Sequence, residues 1–168
     1  MTIKITEEAK EFRRRVLETP GAEKIMHCYQ CGTCTADCPI AKRVPEFRPR
    51  QIARLVMYGQ KKRLMEGDLL YLCAGCYTCY EHCPQEVHVS EIVSALRKLS
   101  LEEGHLLPAF KALMEAVAEA GYIYEIDEFE NEMRMDNDLP PAPEPDTDGI
   151  MAIMRATGFL GKVEASTR

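Results

Sequence analysis

All eight cysteines of this chain fall into a single spacing written twice, C-x2-C-x2-C-x3-C-P. The first run is Cys28, Cys31, Cys34 and Cys38, closed by Pro39; the second is Cys73, Cys76, Cys79 and Cys83, closed by Pro84. Three thiolates at three-residue intervals wrap one corner of an iron–sulfur cube, while the fourth reaches away to another cluster. The pattern therefore implies two 4Fe–4S clusters and one-electron chemistry. In two-cluster proteins of this motif the fourth cysteine of each run serves the other cluster. The expected ligands are Cys28, Cys31, Cys34 and Cys83 for the first cluster, and Cys73, Cys76, Cys79 and Cys38 for the second. Thiolates suit a cubane because it needs soft, anionic ligands. With a thiolate for every iron, no coordination position is left for a substrate. The clusters are expected to carry electrons, and no catalytic residue is expected.

Other uses of cysteine fit less well. Structural zinc takes pairs of C-x2-C separated by a longer loop, which this spacing does not follow. A disulfide framework belongs to short secreted chains, and the opening MTIKITEEAKEFRRR is too charged for an apolar signal segment. Thiols kept for metal imply a reducing compartment, so the expected location is the cytoplasm. His27, His82, His88 and His105 are superfluous as ligands beside eight thiols and are expected around the sites or on the surface. No G-x-S-x-G, P-loop or dinucleotide fingerprint occurs, so flavin or nucleotide must be bound elsewhere. No apolar run is long enough to span a bilayer.

The net charge of −6 is unevenly spread. Residues 39–72 carry eight Lys or Arg against three Asp or Glu, whereas residues 101–150 carry fourteen acidic residues and two basic ones. The plain reading is two solvated surfaces; the alternative is a chain oriented between two partners. An acidic protein without aromatics in a basic stripe gives no support for nucleic-acid binding.

Along the chain the periodicity is helical. Thr6 before Glu7 and Glu8 marks a helix start, and Ala9, Phe12 and Val16 recur on one face until Thr19-Pro20-Gly21. A turn through residues 22–26 leads into the first cysteines. Pro49 opens a helix with Ile52, Leu55 and Val56 inward and Gly59 as its stop. Residues 60–65 give another turn, and Asp68 offers a cap before the second cysteines. Ser90 reads as the N-cap of a helix bearing Ile92, Val93, Leu96 and Leu99, ended by Gly104. Pro108 opens a last helix with Phe110, Leu113, Met114 and Val117, ended by Gly121. Beyond it, the acidic stretch and Leu139–Pro145 are expected to be extended and mobile. An apolar patch from Ile150 to Leu160 is expected either to dock back or to meet a partner. Gly32 and Gly75 allow tight wrapping around the clusters.

Gln30-Cys31-Gly32-Thr33-Cys34 closing at Cys38-Pro39, Arg48-Pro49-Arg50, Cys76-Tyr77-Thr78-Cys79-Tyr80-Glu81, Cys83-Pro84 and Ile92…Ala95-Leu96-Arg97 together resemble the C subunit of heterodisulfide reductase. The resemblance is clear over residues 25–105 and loose in the acidic tail. It implies a mainly α fold: an α-helical ferredoxin domain at 1–121 with two cross-ligated clusters between 28 and 84. An acidic, Pro-rich extension at 122–168 would then dock a partner. It also implies an electron-transfer component of a multi-subunit oxidoreductase. Such a component relays electrons between a flavin-containing A subunit and a catalytic, disulfide-reducing B subunit with CCG motifs. In methanogens the substrate of such a complex is the coenzyme M–coenzyme B heterodisulfide; related complexes act in sulfur metabolism. This chain has neither CCG nor flavin motifs, so it would not reduce a disulfide alone. Two other settings use the same clusters: a free two-cluster ferredoxin, and a peripheral iron–sulfur protein on a membrane quinone or cytochrome partner.

Overall fold

The computed structural model describes residues 5–124 and 126–166, and among them every regular element is helical. Helix α1, Glu7–Leu17, starts where Thr6 accepts a hydrogen bond from the Ala9 amide at 3.2 Å. A 3₁₀ turn, Ile25–His27, delivers Cys28, and α2, Thr33–Ala36, carries the middle of the first cysteine run. Helix α3, Pro49–Met57, begins with proline at its first turn, where a missing N–H costs nothing. The Arg50 amide, an otherwise orphan donor of that turn, donates to Thr35 Oγ1 at 3.0 Å and ties α3 to α2. Helix α4, Lys61–Met65, and a second 3₁₀ turn, Leu69–Leu72, lead to Cys73; α5, Thr78–Glu81, repeats the role of α2. Helix α6, Val89–Glu102, follows.

These elements enclose one core. Phe12 and Val16 of α1, Ile52 and Val56 of α3, Ile92 and Leu96 of α6, with Ile25, Phe47, Leu64 and Leu70, are all buried together. Cys34, Cys38 and Cys79 belong to the same core, so the cysteine runs lie inside the packing. Each fully buried aliphatic contributes about 2 kcal/mol of transfer free energy. At Gly59, with φ +65°, a Cβ would overlap the carbonyl oxygen of Ala9, so only glycine lets α1 lie against the end of α3.

A separate compact unit begins at Leu106. It contains α7, Pro108–Ala120, α8, Glu128–Asp136, α9, Thr147–Ala156, and α10, Phe159–Ala165. The compact units divide between His105 and Leu106, and α7 packs against α9. The tail is not extended throughout: Asp127 and Glu130 form a reciprocal capping box that starts α8, while residues 139–146 lack regular structure. The patch around Ile150 folds as α9 and docks back on α7, one of the two outcomes expected for it. Within the first unit, Ser90 is not the cap of α6. His88 takes that position in the left-handed region, φ +54°, with its ring stacked on Tyr80, and Ser90 is buried two residues inside. No helix among the described residues is long and apolar enough to cross a membrane.

Candidate metal centre

The two cysteine runs fold as two copies of one local structure. Each is entered from a 3₁₀ turn, with Cys28 and Cys73 extended at φ −68° and −67°. Two and four residues after that cysteine, the backbone turns left-handed: Gln30 (φ +65°) and Gly32 (φ +93°) in the first run, Gly75 (φ +64°) and Tyr77 (φ +59°) in the second. The helices α2 and α5 then carry the third cysteines, and they pack against each other. At their ends Asp37 and His82, the residues before Cys38 and Cys83, meet at 2.7 Å between Oδ2 and Nδ1. Glycine serves one left-handed position in each run but not the same one. Gln30 and Tyr77 bear the roughly 1–2 kcal/mol that such a backbone costs a residue with a Cβ.

This folding sorts the thiols by cavity and not by run. Cys28, Cys31, Cys34 and Cys83 line a first cavity, with about 350 Å³ free of protein atoms. Cys38, Cys73, Cys76 and Cys79 line a second, of about 370 Å³. Val89, buried at the start of α6, lines both. All eight cysteines thus line the two cavities, four to each. The four histidines line neither one.

The surroundings suit a sulfur-rich cluster. The walls are largely apolar: Ile40, Phe47, Pro49 and Val93 around the second cavity, Val87 and Pro84 around the first. Backbone amides reach the fourth cysteines, with Ala41 N–H donating to Cys38 Sγ (3.4 Å) and Val87 N–H to Cys83 Sγ (3.2 Å). Gln30 Nε2 donates to Cys28 Sγ at 3.2 Å. Ser90, buried in the wall of the second cavity, sets its hydroxyl beside the Cys79 thiol, where it favours the thiolate. A single zinc ion would gather its sulfurs at about 2.3 Å around one point. The thiols here line the wall of a cavity, four to each, a setting that suits a polynuclear cluster.

The thiols differ in how readily they ionise. The Thr33 and Thr78 hydroxyls, each 3.5 Å away, lower the pKa of the outer Cys31 and Cys76. Burial pushes Cys34 up to about 11 and raises Cys79 as well. A coordinating metal deprotonates such a thiol outright, so outer cysteines ready to ligate and inner ones that need the metal sit in each cavity.

Two supports escape a reading of the sequence. The Arg97 guanidinium of α6 donates to the carbonyls of Leu70 (2.7 and 3.0 Å) and Cys73 (2.8 Å), fixing the entry to the second run from 24 residues away. Arg50 lies over Gly32 and lines the first cavity. Neither contact has a local spacing to betray it.

Residues 24–87 match the family model of the 4Fe–4S dicluster domain. Over 157 residues, covering 89% of this chain and 83% of the relative, the chain is 34% identical to the C subunit of the H(2):CoB-CoM heterodisulfide,ferredoxin reductase of Methanothermobacter thermautotrophicus. It is 34% identical over 137 residues to the iron–sulfur C subunit of the CoB–CoM heterodisulfide reductase of Methanopyrus kandleri, covering 82% of this chain and 71% of that one. To the C subunit of the ferredoxin:CoB-CoM heterodisulfide reductase of Methanosarcina mazei it is 31% identical over 132 residues, 77% of this chain and 79% of the relative. The repeated cysteine run, the helical frame around it and similarity across most of the chain agree: this protein belongs to the family of heterodisulfide reductase C subunits, iron–sulfur components of an oxidoreductase complex.

Proposed function

We propose that this chain is the electron relay of a heterodisulfide reductase-type complex in the cytoplasm. It would pass electrons between a flavin-containing A subunit and a CCG-type catalytic B subunit. In a methanogen, the disulfide reduced would be that of coenzyme M and coenzyme B. The observation that carries this reading is the sorting of eight cysteines into two cavities with a shared Val89 wall. Cys28, Cys31, Cys34 and Cys83 would hold one 4Fe–4S cluster, and Cys73, Cys76, Cys79 and Cys38 the other. Each bound cluster supplies reversible one-electron chemistry and no more.

The polypeptide's own part is to hold, insulate and tune. Phe47, Val87, Val89 and Val93 keep water from the inner sulfurs, while the amides of Ala41 and Val87 and the side chains of Gln30 and Ser90 aim donors at sulfur. Such donors and burial are the levers that set a cluster's potential. The runs also present a way in and out: Tyr29 and Tyr77, each at the mouth of one cavity, are 61% and 54% exposed. The segment 122–168 would dock a partner, a role supported by the exposed Phe129, Met133, Met135 and Ile153.

Anaerobic purification of the native protein, with mass spectrometry of what travels with it, tests the reading. A flavoprotein and a CCG-containing protein in the same complex are expected. A chain that elutes alone, folded and reducible, would make it a free ferredoxin instead.

A further inference from the structure

A third cavity lies beside the first cysteine cavity and has a different character. It holds about 840 Å³ free of protein atoms and is lined by Arg48, Arg50, Arg54 and Arg63, with Gln30, Gln51, Leu55 and Tyr58. No acidic residue lines it. Elsewhere in the same unit Lys10, Arg14, Arg15, Lys24, Lys61 and Lys62 each meet a glutamate within 4 Å. None of the four groove arginines makes such a pair among the described residues. Their heads are held without one: Arg48 Nε donates to the Pro45 carbonyl at 2.8 Å, and Arg54 sits over the Tyr58 ring at 5.6 Å. Four like charges gathered in one groove repel one another, and the counter-charge that relieves them must come from outside the chain.

The location says what that counter-charge belongs to. Gln30 and Arg50 line both the groove and the first cysteine cavity, so whatever binds the groove lies next to that cavity. All four arginines are exposed, and a small anion there would stay hydrated and weakly held. Tyr29, 61% exposed and lining the cavity, adds apolar surface there, which a small anion would leave uncovered. Aromatic and Arg side chains around a partly apolar centre are the composition of a protein–protein contact. A nucleic acid is disfavoured by the chain's net charge of −6.

We propose that the groove of Arg48, Arg50, Arg54 and Arg63 is the landing surface for an acidic face of a redox-partner protein, which it holds over the cavity of Cys28, Cys31, Cys34 and Cys83. The inference rests on the electron-relay reading and adds which face is used and which charge the partner must present. Electrostatic matching of this kind acts mainly on the rate of encounter and on orientation.

The test is association of the anaerobically prepared, cluster-loaded protein with the cognate flavoprotein and catalytic proteins of the complex over a salt series. Arg54→Glu/Arg63→Glu reverses two groove charges, and neither residue lines a cysteine cavity. Lys10→Glu/Lys98→Glu makes the same change of net charge outside the groove. Iron content and visible absorption are expected to match the parent in both. The groove variant is expected to associate with one partner at least about tenfold more slowly at low salt, with a flatter salt dependence, while the control stays near the parent. A groove variant that associates like the parent, or a control that slows it equally, overturns the landing surface but leaves the relay reading intact. A parent protein that binds neither partner overturns the relay reading, and the landing surface with it.

Discussion

Cys38 and Cys83 carry the largest consequence of any single residues here, because each lies in one run and lines the cavity of the other. Cys38→Ser is therefore expected to perturb the spectroscopic signal that Cys76→Ser perturbs, leaving the signal governed by Cys31 comparatively intact. Electron paramagnetic resonance of the three variants, with iron counts, checks it. A Cys38→Ser spectrum resembling that of Cys31→Ser would mean that each run ligates its own cluster. The cysteines themselves are fully legible in the sequence, since their spacing is local and complete. Their supporting cast is not. Gln30 reaches Cys28 only because its backbone adopts φ +65°, a conformation no propensity assigns to glutamine. Ser90 resembles a helix cap because its type favours caps, but His88 stacked on Tyr80 starts the helix two residues earlier and sends Ser90 inward.

At the scale of elements, the sequence is readable where punctuation is chemical. Thr6 caps α1, Pro49 and Pro108 open their helices, and Gly59, Gly104 and Gly121 end theirs with positive φ. The tail misleads because its acidic and proline content masks a capping box at Asp127 and Glu130. What joins the elements is long-range and leaves no local trace. Glu103, which closes α6, pairs with Arg15 of α1 at 2.7 Å and with Lys61 of α4 at 2.9 Å, its side chain 17% exposed. Burial pushes its carboxyl up, but Lys61 and Arg15 outweigh burial and hold it below its ordinary value. A carboxylate lowered on folding stabilises above its unfolded pKa and loses that contribution as pH falls through the folded one. Glu103→Gln is thus expected to cost about 1–2 kcal/mol at neutral pH. The cost should hold steady down to about pH 5 and close only below about pH 4, near and under the free carboxylate value. Hydrogen exchange at the end of α6 in parent and variant would report it. A difference that vanished near pH 6 would point to a histidine and not to this pairing.

For the whole molecule, the decisive matter is that the cysteine cavities are part of the core of one unit and absent from the other. The second unit packs α7 on α9 and α9 on α10 and contains no cysteine. In the first, Cys34, Cys38 and Cys79 share a core with α1, α3 and α6, and the cavities hold about 350 and 370 Å³ free of protein atoms. The left-handed backbone at Gln30 and Tyr77 is strained and persists only while its surroundings hold it. Chelating the iron anaerobically is therefore expected to unfold the first unit and spare the second. Amide exchange in α2, α5 and the start of α6 should rise about a hundredfold or more, because metal binding and folding are coupled, while α7 and α9 keep their protection. Unchanged protection in α6 after complete iron loss would show the opposite hierarchy, in which the polypeptide builds the cavities alone and the clusters merely fill them. The buried Cys34, whose thiol is pushed up to about 11, argues for the first order of events: a neutral thiol in an apolar wall gains its charge, and its place, from the metal.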